Sequence, residues 1–255
     1  MSRKRKLLLI IAAEVSLLAG WFLPDALIRT DSSFIVSCLL SALRGILMFG
    51  VPGVLLIKRL GLPREALQET FRTPNSFDAG LTMLSAVSFV LAGSLLTSLF
   101  AMLLETLGLP VWIPAPLIPK TPADLLVASL TVSLITAICE ELFFRFALVK
   151  LLTTKVSYKA ASLISSGLFA ALHLSLIGLP TLFLFGLFLH RLYRRKGTLL
   201  LPILFHAMYN FSILILNYAD ALPGISAILL SAAIFVLTAR YLLKEDTDET
   251  DHPGM

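Results

Sequence analysis

The chain has 255 residues, 57% hydrophobic and only 15% charged, with a mean hydropathy of +0.89. Soluble domains carry about a quarter charged residues, so a water-soluble surface is excluded, and so is a disordered chain. Two cysteines, Cys38 and Cys139, each inside an apolar run, exclude a disulfide framework. The formal charge of +5 hides an asymmetry. The tail from Lys244 holds five of the sixteen acids, Glu245, Asp246, Asp248, Glu249 and Asp251, and without them the balance would be +10. On such a greasy chain a basic balance reports orientation in a lipid bilayer and not nucleic-acid binding.

Each span needs about 20 apolar residues, and taken in order the sequence predicts about eight. The first, Leu7 to about Ile28, follows the basic cluster Arg3 to Lys6 and reads as a retained helix, with no small-residue cleavage site behind it. The second covers Phe34 to Ile57, with Arg44 inside it and a pairing to Glu14 expected. Next comes LGLPREALQETFR, in which Pro63 suits a helix start and Leu62, Ala66, Leu67 and Phe71 share a face, the pattern of an interfacial helix. The third span is Ala79 to Leu104. Five prolines in the fourteen residues LPVWIPAPLIPKTP then break any helix. Thr121 caps and Pro122 starts a long fourth span reaching about Leu152. The remaining four run from about Ser157 to Leu176, Pro180 to Arg191, Leu199 to Leu216 and Pro223 to Leu243.

The resulting expectation is an all-α polytopic bundle, a single transmembrane domain over residues 1–243 with an acidic cytoplasmic tail over 244–255. With the N-terminus inside, seventeen of the twenty-one basic residues fall on the cytoplasmic side and only Arg29 and Lys120 outside. The positive-inside rule thus places both termini in the cytoplasm.

Ionised side chains inside spans cost about 2.5–3.5 kcal/mol each on insertion scales, so each needs a reason. The fourth span carries Glu140 and Glu141 in ICEELFFRF, followed by Arg145. Glu141 and Arg145 stand at i and i+4 with the acid first, the favourable order for an ion pair. Glu140, about 100° around the helix, is left without that cation, as a general base would be. The fifth span carries Phe169 and His173 one turn apart, and the seventh carries His206 and Asn210 one turn apart. Polar groups in spans turn toward one another, so these residues read as one site. At about 1.5 Å per residue, Glu140 and His206 lie at similar depth from the cytoplasmic end. His173 comes out deeper by the same arithmetic. A base that activates water and donors that hold an oxyanion are what peptide hydrolysis requires. Glu140 and His173 suit the first task, directly or through a metal, and His206 and Asn210 the second. No HExxH, GxGD or GxSG motif is present, and Asp220 has no partner aspartate in another span.

The set Glu140-Glu141-x-x-x-Arg145, Phe169-x-x-x-His173 and His206-x-x-x-Asn210 resembles the CPBP family of intramembrane proteases, also called ABI or CAAX-protease-like. That family includes the prenyl-protein endopeptidases and bacteriocin self-immunity proteins. The resemblance covers Glu140 to Asn210 and implies a family core of about residues 122–218. It implies eight helices around a polar cavity in the membrane, open toward the cytosol. The short connectors and compact length read as prokaryotic, which places the chain in a plasma membrane. The resemblance further implies water activated by Glu140 and His173 and an oxyanion steadied by His206 and Asn210, with Glu141 and Arg145 in the site. The substrate would be a peptide or a membrane-anchored protein. Glu140, His173 and His206 would be the ligands if a divalent metal such as zinc were held. A metal-free glutamate mechanism is the reading preferred. His190 departs from the small residue expected at its place and reads as an interface residue, and Cys139 reads as packing. A non-catalytic scaffold or immunity protein with a peptide-binding cavity is the alternative of another class, and a proton-linked transporter is a third. The transporter reading asks for repeated halves, which the chain does not show.

Overall fold

The computed structural model describes residues 3–27, 33–109, 111, 117–221 and 223–244. Among these residues there are nine helices and no strand. They are α1 (Arg3–Leu27), α2 (Phe34–Leu60), α3 (Arg64–Thr70), α4 (Ser76–Thr106), α5 (Pro122–Leu152), α6 (Tyr158–Leu172), α7 (Leu179–Lys196), α8 (Leu200–Tyr218) and α9 (Ile225–Leu242). The acidic tail beyond Lys244, with His252, and most of the proline-rich stretch lie outside the described residues.

Six helices are long and apolar enough to cross a membrane: α1, α2, α4, α5, α8 and α9. Large apolar side chains stand exposed along α1 and α9, among them Phe22, Leu230 and Leu237, as a lipid-facing surface requires. The expected fifth and sixth spans are α6 and α7, which fall outside that set. At 15 residues, α6 is about 22 Å long against a hydrocarbon core of about 30 Å. Its charged last turn, Arg194 to Lys196, lowers the apolar character of α7. The two form an antiparallel pair: Gly186 lies against Ser166, and the Arg194 guanidinium stands 4.8 Å from the Tyr158 ring.

Helix starts follow local chemistry. Ser33, Asn75 and Ser157 each accept a hydrogen bond from the backbone N–H three residues on. At α5 the Thr121 hydroxyl accepts from Asp124 N while the Asp124 carboxylate accepts from Thr121 N, a reciprocal cap. The short α3 packs by Leu62 and Leu67 onto Phe146, Tyr193, Leu199 and Ile203. It is also pinned to the turn before α8. Leu199 N donates to Thr70 O at 2.7 Å, Thr198 Oγ1 donates to Arg72 O at 2.7 Å, and Lys196 pairs with Asp78 at 3.0 Å.

Close helix contacts use small residues, as they do where lipid supplies no hydrophobic drive. Gly45 faces Thr136, Gly50 faces Cys139, and Gly53 faces Leu142 and Phe143. The numbers climb together, so α2 and α5 run parallel, as alternate spans must. Cys139 is a packing residue here. At Gly186 an added Cβ would stand 2.9 Å from Ser166 Cβ and 3.1 Å from its Cα, so backbone must move. Gly186→Ala is therefore expected to destabilise the fold by about 1–3 kcal/mol, read as a lower unfolding midpoint in detergent. An unchanged midpoint would refute this contact.

Candidate active site

Two helices bring the carboxylates and a histidine together. Glu140 and Glu141 occupy a six-residue α-helical stretch, Thr136–Glu141, between π-helical segments at Ser129–Ile135 and Leu142–Ala147. A π segment adds a residue per turn and so rotates the faces on either side of it, a feature frequent at functional sites. The Arg145 Nε lies 3.0 Å from Glu141 Oε2, and both side chains are fully buried. The ion pair expected from the i, i+4 spacing is therefore present. On the other side of Glu141, His206 Nδ1 stands 2.8 Å from Oε1. His206 Nε2 then faces Glu140 Oε2 at 3.8 Å. The result is an ordered chain of charges: Arg145, Glu141, His206, Glu140.

Hydrogen-bond chemistry assigns the protons. A carboxylate bridging a guanidinium only accepts, so His206 Nδ1 carries the hydrogen and Nε2 is turned toward Glu140. Aromatic rings fix that orientation: the His206 ring lies 5.0 Å from Phe185 and 5.9 Å from Phe169, edge to face in both cases. Phe169 itself stacks on Phe185 at 5.7 Å and supports the Arg145 guanidinium at 4.5 Å.

His173 sits just beyond the last turn of α6, since that helix ends at Leu172 and not near Leu176. The chain leaves through Leu174 at φ 51, a left-handed conformation that costs a non-glycine residue about 1–2 kcal/mol. Ser165 Oγ donates to Phe144 O at 2.7 Å, which levels Phe169 with Glu140 on the neighbouring antiparallel helix. By position, His173 would stand one turn too deep, the offset noted from the sequence. Its ring folds back, with Nδ1 at 2.7 Å from Phe169 O. A carbonyl only accepts, so Nδ1 carries the proton here too and Nε2 keeps its lone pair.

A cavity of about 310 Å³ joins Glu140 to His173. Its walls include Trp21 of α1, Arg44, Met48 and Phe49 of α2, Val132, Thr136 and Phe144 of α5, and Leu172 and Leu174. The expected polar cavity is thus polar at one end and largely apolar along its sides. It runs from Glu140 toward Val132, away from the Leu152 end assigned to the cytosol. Packing of Phe146, Tyr193, Leu199 and Ile203 under α3 occupies the Leu152 side. Sequence reasoning did not foresee the walls from α1 and α2. Arg44, a charge inside a span that borders the cavity, was the available signal.

Asn210 is half-buried and donates from Nδ2 to Val132 O at 3.3 Å, which ties α8 to the π segment on the cavity wall. His190 is buried away from the cavity. Among the described residues no three His, Cys, Asp or Glu side chains gather as a set able to hold a metal ion. In both histidines Nδ1 is engaged, by Phe169 O for His173 and by Glu141 for His206, which leaves Nε2 as the remaining nitrogen of each ring.

Fold and site together define an all-helical, multi-pass membrane protein with a carboxylate–histidine centre among its helices. Residues 122–212 match the family model described as Rce1-like, type II CAAX prenyl endopeptidase. The match runs from the first residue of α5 to two residues past Asn210, so this stretch is similar to that family and spans every polar residue of the site. No curated protein and no solved structure matches the chain.

Proposed function

We propose that the chain is an intramembrane endopeptidase in which Glu140 activates water. The single observation that carries this reading is the 3.8 Å approach of Glu140 Oε2 to His206 Nε2 beside the cavity. Two carboxylates stand there against one permanent cation, Arg145. One more proton makes the centre neutral, and Glu140 and His206 are the two groups placed to share it. With that proton on His206 Nε2, the imidazolium is a donor and Glu140 an ionised base. Both catalytic roles are then filled at once.

Hydrolysis follows from this arrangement. Glu140, helped by the free Nε2 of His173, takes a proton from water as the water oxygen bonds to the scissile carbonyl carbon. His206 Nε2–H, with the Asn210 amide in support, steadies the oxyanion that forms. Collapse breaks the carbon–nitrogen bond, and the proton on Glu140 passes to the departing amine. The substrate is a peptide or a membrane-anchored protein whose apolar flank lies along Trp21, Met48, Phe49 and Leu172. The short connectors and compact length favour a prokaryotic plasma membrane, and the distribution of basic residues favours both termini in the cytoplasm.

The test compares protein termini in membranes holding wild type or Glu140→Gln at matched levels. New termini that appear only with the wild type are the expected result, and they name the substrate. Identical termini, with the variant inserted normally, would overturn the enzyme in favour of a peptide-binding scaffold or immunity protein.

A further inference from the structure

Behind the Glu141–Arg145 pair, on the side away from the cavity, lies a second group of buried polar atoms. Neither Nη1 nor Nη2 of Arg145 makes a hydrogen bond within the protein, nor does Ser166 Oγ or either ring nitrogen of His190. Arg145 and Ser166 are 0% exposed and His190 is 1% exposed. Buried polar groups are hydrogen-bonded about nine times in ten, so five such atoms in one place ask for an explanation.

Helix register shows that they share one place. Ser166 lies against Gly186, Tyr158 Oη donates to His190 O at 3.1 Å, and Arg194 covers the Tyr158 ring. Between these two contacts the antiparallel pair α6 and α7 sets His190 opposite Ser162. The bond from Ser165 Oγ to Phe144 O lays the Arg145 segment of α5 on the same face of α6. A guanidinium has five N–H donors and no acceptor. Glu141 can engage one side of it, and Phe169 covers a face. An imidazole nitrogen with a free lone pair is the complementary group for the outward Nη atoms, and His190 has one.

We propose that His190 is a positioning residue, accepting from one bridging water a hydrogen bond that links it to the Arg145 guanidinium. It extends the chain of the site to His190, Arg145, Glu141, His206 and Glu140. An imidazole that accepts at one nitrogen is neutral, so it satisfies the guanidinium without competing for Glu141. Arg145 is thereby held against Glu141, and His206 keeps its Nδ1 turned to that carboxylate. The proposal rests on the catalytic reading above for its consequence, though not for the contact itself.

The test uses His190→Leu, which removes the acceptor, and His190→Gln, which keeps one. With a peptide cleaved by the wild type, His190→Leu is expected to lower kcat about tenfold with KM little changed, and to shift the pH profile. That shift would be read against Glu140, Glu141, Arg145, Tyr158, Arg194 and His206, the titrating and charged groups around the pair. His190→Gln recovers most of the rate. Equal losses in both variants, or none in His190→Leu, would overturn the positioning role.

A second readout needs no turnover. The unfolding equilibrium in detergent is measured for His190→Leu in the wild-type chain and in a Glu141→Gln/Arg145→Met background. Loss of the acceptor should raise the unfolding constant about fivefold or more in the wild type and little in the background without the guanidinium. The same change in both would refute the contact. A wild type that cleaves nothing, with this coupling intact, would place the failure in the catalytic reading alone.

Discussion

Arg145→Met is expected to lower the unfolding free energy by about 3–5 kcal/mol, and Glu141→Gln/Arg145→Met to restore most of that loss. Glu141 and Arg145 are both 0% exposed and 3.0 Å apart. Removing only the cation leaves a carboxylate in a low-dielectric interior with the His206 ring as its remaining partner. Removing both charges leaves groups of similar size and no uncompensated ion. Denaturant titration in micelles, followed by tryptophan fluorescence, reads both variants. Equal stability of the single and double variants would refute a buried pair. Turnover is expected to stay low in the double variant, by about 10³–10⁴-fold. That is the scale seen when the carboxylate orienting a catalytic imidazole becomes an amide.

The same pair shows what was legible in the residues. Its i, i+4 order and the apolar text around it predict both contact and burial, because helix geometry alone decides the spacing. Thr121 and Pro122 likewise announce the start of α5, since capping is local chemistry. The convergence of Glu141 with His206 was legible in outline. Unpaired polar groups in lipid have few places to turn, so three polar stripes on three helices imply a meeting. Which glutamate would meet which histidine was not legible. The π segments on both sides of Thr136–Glu141 change the angle between faces, and nothing in Ser129–Ile135 distinguishes it from ordinary helix by composition. The end of α6 at Leu172 was hidden for a related reason. Leu174 occupies a left-handed position where glycine is the usual signal, and a leucine there reads as more helix. The cavity walls from α1 and α2 depend on tertiary packing at Gly20 and Gly45. At Gly20 an added Cβ would stand 2.7 Å from the Met48 backbone. A local pattern shows a glycine in a span but not its neighbour.

Glu140→Gln and His173→Ala are each expected to lower kcat by about 10²–10⁴-fold, and the double variant to fall little further than the worse single one. The reason is geometric. Both residues border one cavity, and His173 offers only Nε2 to it because Nδ1 is engaged by Phe169 O. A water held between a carboxylate and that lone pair is activated by the two as a unit, and groups that act as a unit lose their effect together. His206→Leu belongs to a different step. It removes the donor to the oxyanion, and about 10²–10³-fold is the usual loss for one such donor. Combined with Glu140→Gln, it should deepen the defect unless the shared proton makes these two inseparable as well. Single-turnover rates on a peptide that the wild type cleaves would separate the cases. Multiplicative losses for Glu140→Gln with His173→Ala would show two independent contributions and would remove His173 from the activation of water. Glu140 would then be left as the sole base, with His173 reduced to a wall of the cavity.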